Sequence, residues 1–324
     1  MNDSFARSVD YLRLSITDRC NEKCLYCMPQ GYKGWQVKRD ILEARDLFRI
    51  CQVAAGLGFT KFRLTGGEPL LHKDIIGIAK GIRSIPGVKS LGLSTNGTRL
   101  AHLAGELHHA GVQTLNISLD ALDAQIYHQI TGGDLAQVLA GIEAAQREGF
   151  EKIKLNCVLM RGVNEGELWP LTQYAAQLKL PLRFIELMPL TSRDVLSSRK
   201  FLSINEAMEL IQAKDKLLPE PGLRLGNGPA IYYRLQNTGS HVGFIGAMTN
   251  LHFCDACNKM RITADGKIRP CLGDHGEIDL LAALREDSNN GLHEKFLEAL
   301  RLKPREHLFR TQYLPQRPMT AIGG

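Results

Sequence analysis

The chain repeats one unit: an alternating apolar run, a polar or glycine-rich segment, then a stretch with helical period. Tyr11–Ile16 alternates, and after a polar segment Glu43–Leu57 sets Leu47, Ile50, Cys51, Ala54 and Leu57 on one helical face. Lys61–Thr65 reads as the next strand and runs into Gly66-Gly67-Glu68-Pro69, which suits neither a helix nor a central strand. The rhythm continues with helix Asp74–Ser84, strand Ser90–Ser94, helix Leu100–Ala110 and strand Thr114–Ser118. Helix Leu135–Glu148, strand Ile153–Leu159, helix Glu165–Leu178 and strand Leu182–Leu187 complete it. Strands in series joined by helical crossovers predict a parallel sheet, because each crossover must return the chain to the same edge. The predicted fold is therefore α/β, an incomplete (β/α)6 barrel. With two units fewer than a closed barrel it is open to a large ligand, and its chemistry is expected at the C-terminal ends of the strands.

From about Leu190 the pattern changes. Ser203–Ala213 reads as a helix, Pro219, Pro221, Gly222, Gly226, Gly228 and Pro229 interrupt regular structure, and Ile231–Leu235 and His241–Ile245 read as strands. Helices are expected near Asp279–Arg285 and Gly291–Leu302. This predicts a barrel over 1–190 and a C-terminal region over 191–324 packed onto it. At 44% hydrophobic and 23% charged residues the chain lies outside the disordered class. Its net charge of +6 fits an anionic small molecule such as a nucleotide and is too modest for a nucleic-acid partner. No apolar run approaches the roughly 18 residues of a membrane span, and Asp3, Arg7, Asp10 and Arg13 leave no secretory apolar stretch at the start. The expectation is a cytoplasmic protein with no membrane partner.

Six of the eight cysteines fall into two groups. Cys51 and Cys157 lie in helical and strand patterns and read as small buried hydrophobes. Cys20, Cys24 and Cys27 have the spacing C-x3-C-x2-C, and Cys254 and Cys257 are followed after 13 residues by Cys271. Reduced thiols grouped like this hold metal. Spacing alone leaves the first group as a four-iron cluster with one open iron or as zinc completed by a fourth ligand elsewhere, and the second as such a cluster, as zinc completed by His252 or His275, or as a purely structural cluster. The second group lacks the second CxxC of a zinc ribbon. Beyond it, alternation puts Lys259 and Arg261 on one side of a strand, suited to an anion.

C-x3-C-x2-C followed by Gly66-Gly67-Glu68-Pro69 resembles the radical S-adenosylmethionine superfamily. The order LRLSITDRCNEKCLYCMP, TGGEPLL, STNG, NISLD, FIELMP, FCDACNKMRITADGKIRPCL and a terminal IGG is similar, over nearly the whole chain, to the GTP 3′,8-cyclase family (molybdenum cofactor biosynthesis protein A). The resemblance implies a radical-type partial barrel with a C-terminal region carrying a second cluster, and two [4Fe–4S] clusters on Cys20, Cys24, Cys27 and on Cys254, Cys257, Cys271. It implies a lyase that cyclises GTP by hydrogen abstraction from ribose C3′ and attack on guanine C8. Residues matching the family motifs are Tyr26, Gly67, Ser118 and Met188 for S-adenosylmethionine. For GTP they are Arg13, Arg63, Ser94, Lys154, Lys259, Met260 and Arg261, and the tail Gly323-Gly324 is expected to enter the active site. Implied partners are an electron donor such as flavodoxin or ferredoxin, a downstream cyclic pyranopterin monophosphate synthase, and a second copy in a homodimer.

Some positions depart from the pattern. Glu22 and Lys23 replace an apolar or aromatic residue and an arginine beside the first group, Ala6 replaces a glycine, and Lys259 replaces an arginine, losing its planar fork. No ligand is lost, so these read as tuning. The competing expectations are a peptide-modifying maturase of the same superfamily, which would carry more C-terminal cysteines, and a zinc-stabilised binding module.

Overall fold

The computed structural model describes residues 1–28, 42–190, 200–286, 289–311 and 313–323. Six parallel strands follow one another in space as in sequence: β1 (Tyr11–Ser15), β2 (Lys61–Thr65), β3 (Ser90–Thr95), β4 (Thr114–Ser118), β5 (Lys152–Val158) and β6 (Leu182–Ile185). Between them run α1 (Ala44–Gly56), α2 (Ile75–Arg83), α3 (Leu100–His109), α4 (Ala124–Thr131), α5 (Leu135–Arg147) and α6 (Leu168–Gln177). The sequence reading does not contain α4. Its signals are local: Asp123 caps it by accepting from the N–H groups of Gln125 and Ile126, and Gly132 ends it in the left-handed conformation at φ 68.

Strand alternation decides what faces what. Leu12, Leu14, Phe62, Leu64, Leu91, Leu93, Leu115 and Ile117 point to the helices and are at most 1% exposed, packed in the main core with Leu47, Ile50, Ile78, Ile82, Leu107 and Ile142. The alternate positions point inward. In a closed barrel the inward set is branched and apolar and fills the interior. Here it is Tyr11, Arg13, Arg63, Ser94, Asn116, Ser118, Lys154, Asn156 and Arg183, all lining one cavity. The strands alternate, unlike those of a sheet apolar on both faces, because the barrel interior is a polar chamber.

The C-terminal region joins this barrel by extending its sheet at both edges. After α7 (Ile204–Gln212), the strands β7 (Leu217–Pro219), β8 (Ile231–Leu235) and β9 (His241–Ile245) return so that β9 pairs parallel with β6. The chain then crosses to the far edge, where β10 (Lys259–Ile262) pairs parallel with β1, followed by β11 (Lys267–Arg269) and β12 (Ile278–Asp279). The sheet order is β12-β11-β10-β1-β2-β3-β4-β5-β6-β9-β8-β7. The expected boundary after residue 190 adjoins 191–199, outside the described residues. The helices α8 (Leu281–Arg285), α9 (Asn290–Arg301) and α10 (Met319–Ile322) complete the chain. Among the described residues no helix is long and apolar enough to cross a membrane.

Candidate active site

A single cavity of about 1110 Å³ runs through the barrel, and all six grouped cysteines line it. The first triad stands at the C-terminal ends of the strands. Cys20, Cys24 and Cys27 follow β1 on a loop tied to the Gly66-Gly67-Glu68-Pro69 turn by Gly67 N–H to the Thr17 carbonyl (2.8 Å) and Glu68 N–H to the Arg19 carbonyl (2.7 Å). Gly66 has φ 154, and a Cβ at either glycine would lie within 2.3 Å of a main-chain oxygen of the cysteine loop. Glu68, 1% exposed, accepts from Leu70 N–H, the Thr95 hydroxyl and Asn96 N–H, which fixes the turn against the end of β3. Burial pushes the Glu68 carboxyl up to about 7. Tyr26 donates to Asp120 (2.7 Å) just beyond β4, and Asp120 also accepts from Val158 N–H on β5.

The second triad stands at the other end of the strands, where β10 begins. Arg7 donates to the Cys254 carbonyl (3.1 Å) and to the carbonyls of Pro304 and Arg305, while Asp3 holds its Nε at 2.6 Å. Lys303 donates to the carbonyls of Lys259 and Pro270 and lies 3.5 Å from the Cys257 sulfur. Main-chain N–H groups of Lys259, Gly273 and His307 reach the sulfurs of Cys257, Cys271 and Cys254. None of the six cysteines forms a disulfide. Burial pushes Cys20 and Cys27 up to about 12 and Cys271 up to about 11. Burial raises Cys257 too, but the ammonium groups of Lys303 and Lys259 outweigh it and leave the thiol below its usual value. Soft sulfur donors, N–H···S contacts and a chamber between them suit iron–sulfur clusters. No three His, Cys, Asp or Glu among the described residues converge on a single-ion site.

Between the triads the walls are cationic. Arg13 and Arg63 are register partners on β1 and β2, as are Arg13 and Arg261 on β1 and β10. Arg63 fits because its β3 partner is Gly92, whose Cβ would sit 2.4 Å from the guanidinium. The guanidinium donates to Tyr11 (2.5 Å), the Leu93 carbonyl and the Thr114 hydroxyl. Arg13 Nε is buried with no partner among the described residues. Burial raises the Tyr11 phenol, but Arg63 and Arg13 more than reverse this and bring it to about 8. Burial together with neighbouring cations lowers Lys154 to about 7, Arg261 to about 9 and Arg183 to about 10. So many compressed cations need a polyanion to neutralise them.

The sequence pattern of the Radical SAM superfamily matches residues 14–175, and that of Molybdenum Cofactor Synthesis C matches 180–309. A GTP 3′,8-cyclase of Petrotoga mobilis is 39% identical over 326 aligned positions, covering 100% of both chains, and one of Moorella thermoacetica is 41% identical with the same coverage. The chain belongs to the GTP 3′,8-cyclase family. Its fold is similar to Streptococcus suis SuiB bound to precursor peptide SuiA (TM-score 0.61, 14% identity, 95% of this chain and 76% of that one). SuiB bound to S-adenosylmethionine gives TM-score 0.57 at 16% identity, covering 88% and 65%. Membership in a radical S-adenosylmethionine family implies that cofactor and one [4Fe–4S] cluster, which the first triad and its glycine turn fit.

Of the positions taken from the cyclase pattern, Tyr26, Gly67, Ser118 and Met188 line the cavity, as do Arg13, Arg63, Ser94, Lys154, Lys259 and Arg261. The Met260 side chain does not: strand alternation turns it away from Lys259 and Arg261 into the core, where it is 0% exposed. Gly323 lies over the ends of β1 and β2, its Cβ position 2.8 Å from Thr65, and its carbonyl accepts from Arg261. Gly324 lies outside the described residues. The departures are also explained locally. Glu22 is 3% exposed, accepts from the Tyr127 hydroxyl (2.7 Å) and fills the space left by Gly133, while burial raises its carboxyl to about 7. Lys23 is exposed. Ala6 keeps the left-handed backbone of a glycine at φ 59. Lys259 Nζ stands over the Tyr11 ring at 5.7 Å, a contact an ammonium makes without a fork.

Sequence reading missed Arg183, Asn116, Asn156 and Lys303. The first three could have been found: each occupies an inward position of a recognised strand, and Arg183 repeats the apolar-Arg-apolar pattern of Arg13, Arg63 and Arg261. Lys303 gives no local signal, because its partners are 33 to 46 residues away.

Proposed function

We propose that this chain converts GTP to (8S)-3′,8-cyclo-7,8-dihydroguanosine 5′-triphosphate, the first step of molybdenum cofactor biosynthesis. The observation that carries the reading is the inward set of the barrel: a cationic wall placed between two cysteine triads at opposite ends of one cavity. When bound, the first cluster and S-adenosylmethionine supply one-electron cleavage of the sulfonium and a carbon radical able to take the ribose C3′ hydrogen.

The chain's own residues bind, orient and enclose. Gly67, Ser118 and Met188 line the cofactor end, and Tyr26, fixed by Asp120, offers its ring to the adenine. Arg13, Arg63, Lys154, Lys259 and Arg261 hold the triphosphate and ribose from three sides, joined by Arg183, whose Nε is aimed by Asn156 Oδ1 at 2.8 Å. Ser94 supplies a hydroxyl on the ribose path. Cys254, Cys257 and Cys271 would hold a second [4Fe–4S] cluster, which would supply a Lewis-acidic iron for the guanine at that end of the cavity. The Gly323 tail closes the strand ends through Arg261. A flavodoxin or ferredoxin delivers the electron, its acidic surface suiting the +6 charge of the chain. A homodimer in the cytoplasm, passing product to a cyclic pyranopterin monophosphate synthase, completes the proposal.

The test is anaerobic turnover of the reconstituted chain with GTP, S-adenosylmethionine and a strong reductant, with the nucleotide product identified by mass spectrometry and NMR. The cyclised triphosphate and one 5′-deoxyadenosine per turnover are expected. Intact clusters that release 5′-deoxyadenosine and leave GTP unchanged would reject the assignment.

A further inference from the structure

The two ends of the cavity are oppositely charged. Glu22, Glu68 and Asp120 are buried around the first triad, where S-adenosylmethionine brings a positive sulfonium. Around the second triad stand Arg7, Lys259 and Lys303. Lys303 is the most constrained of them. It follows α9, is 2% exposed, and has no carboxylate partner among the described residues. Its ammonium has three N–H donors, and three acceptors surround it: the Pro270 carbonyl at 2.7 Å, the Lys259 carbonyl at 2.8 Å and the Cys257 sulfur at 3.5 Å. All three contacts fall on the segments that carry Cys257 and Cys271.

A buried lysine without a counter-anion is costly. A four-iron core held by three thiolates carries one net negative charge when oxidised and two when reduced, so it supplies that anion. Resting on the reading that the second triad holds a cluster, we propose that Lys303 is its positioning residue. The ammonium, locked on two carbonyls, holds the Cys257 sulfur in place and raises the reduction potential of the second cluster by favouring its more negative state. Among the described residues the first triad, set among carboxylates, has no such group, so the two clusters are held apart in potential.

The test uses the full chain with Cys20→Ser, Cys24→Ser and Cys27→Ser, leaving only the second triad to bind iron. Lys303→Gln removes the charge and keeps a donor; Lys303→Arg keeps both. Each is titrated electrochemically with the EPR signal of the reduced cluster as readout, and its iron is counted. The proposal expects Lys303→Gln to retain iron with its one-electron equilibrium shifted at least tenfold, about 59 mV, to lower potential, and Lys303→Arg to stay near the parent. Loss of the cluster from a folded Lys303→Gln but not from Lys303→Arg supports the same role. An unmoved potential in Lys303→Gln, or equal loss of iron from both variants, overturns it. Absence of iron from the parent would overturn the second cluster itself, a separate result from an unmoved potential.

Discussion

Substituting Gly67 with alanine separates a packing role for this glycine from a purely ligand-binding one. The new methyl would stand 2.1 Å from the Arg19 carbonyl oxygen, 2.5 Å from its carbon and 2.8 Å from the Asp18 oxygen. Carbon contacts rest at about 3.5 Å, so the turn and the cysteine loop must part by about 1 Å. That stretches the bonds from Gly67 N–H to Thr17 and from Glu68 N–H to Arg19, now 2.8 and 2.7 Å. Two buried hydrogen bonds at about 1 kcal/mol each, plus about 1–3 kcal/mol of overpacking, give a loss of about 3–5 kcal/mol. Arg19 adjoins Cys20, and a reacting group displaced by about 1 Å loses about 100-fold in rate. Gly67→Ala is therefore expected to unfold at lower denaturant and to cleave S-adenosylmethionine, without GTP, about 100-fold more slowly. Denaturant titration and anaerobic measurement of 5′-deoxyadenosine read both effects. Parental stability together with a parental cleavage rate would refute the packing argument.

Arg183→Met should weaken GTP binding about 10- to 100-fold, the worth of a charged hydrogen bond of about 1.5–3 kcal/mol, while GTP-independent cofactor cleavage stays at the parental rate; unchanged GTP affinity in calorimetry would contradict its place among the triphosphate groups. Lys154, lowered to about 7 by burial and its neighbouring cations, must take up a proton when the triphosphate binds above that pH. GTP affinity should then fall between about pH 7.5 and 9 with proton uptake on binding, and Lys154→Arg should flatten the profile; a flat profile in the parent would contradict the reading. Ala6→Gly relieves the left-handed alanine at φ 59 and should stabilise the chain by about 1 kcal/mol in urea titration, whereas a loss of stability would show that this backbone is unstrained.

The barrel was legible because its signals are local. Period and turn chemistry alone give β2 and β4 their full extent, and α1 differs from its expected range only by its caps Glu43 and Leu57. At the edges, β8 and β9 were legible at their full extent, but what they and β10 pair with was not. Pairing of β10 with β1 joins Tyr11 to Lys259, and no local pattern carries a contact of that separation. α4 is short, and its apolar positions Ile126, Tyr127 and Ile130 are too few to establish a period. At the site, the sulfur groups and the glycine turn were readable by spacing, and Lys259 and Arg261 by alternation. The same alternation applied to Met260 places its side chain in the core. Arg183 was within reach of that rule, whereas Lys303 becomes visible only when α9 brings it under the second triad.

The central claim is that two three-thiolate clusters share one chamber, one serving the cofactor and the other the purine. Mössbauer spectroscopy of the ⁵⁷Fe-reconstituted chain, alone and with each ligand, tests it directly. The prediction is about eight irons per chain, with S-adenosylmethionine altering one iron of the first cluster only and GTP one iron of the second only. A chain with iron at one triad, or both ligands perturbing the same cluster, would contradict it.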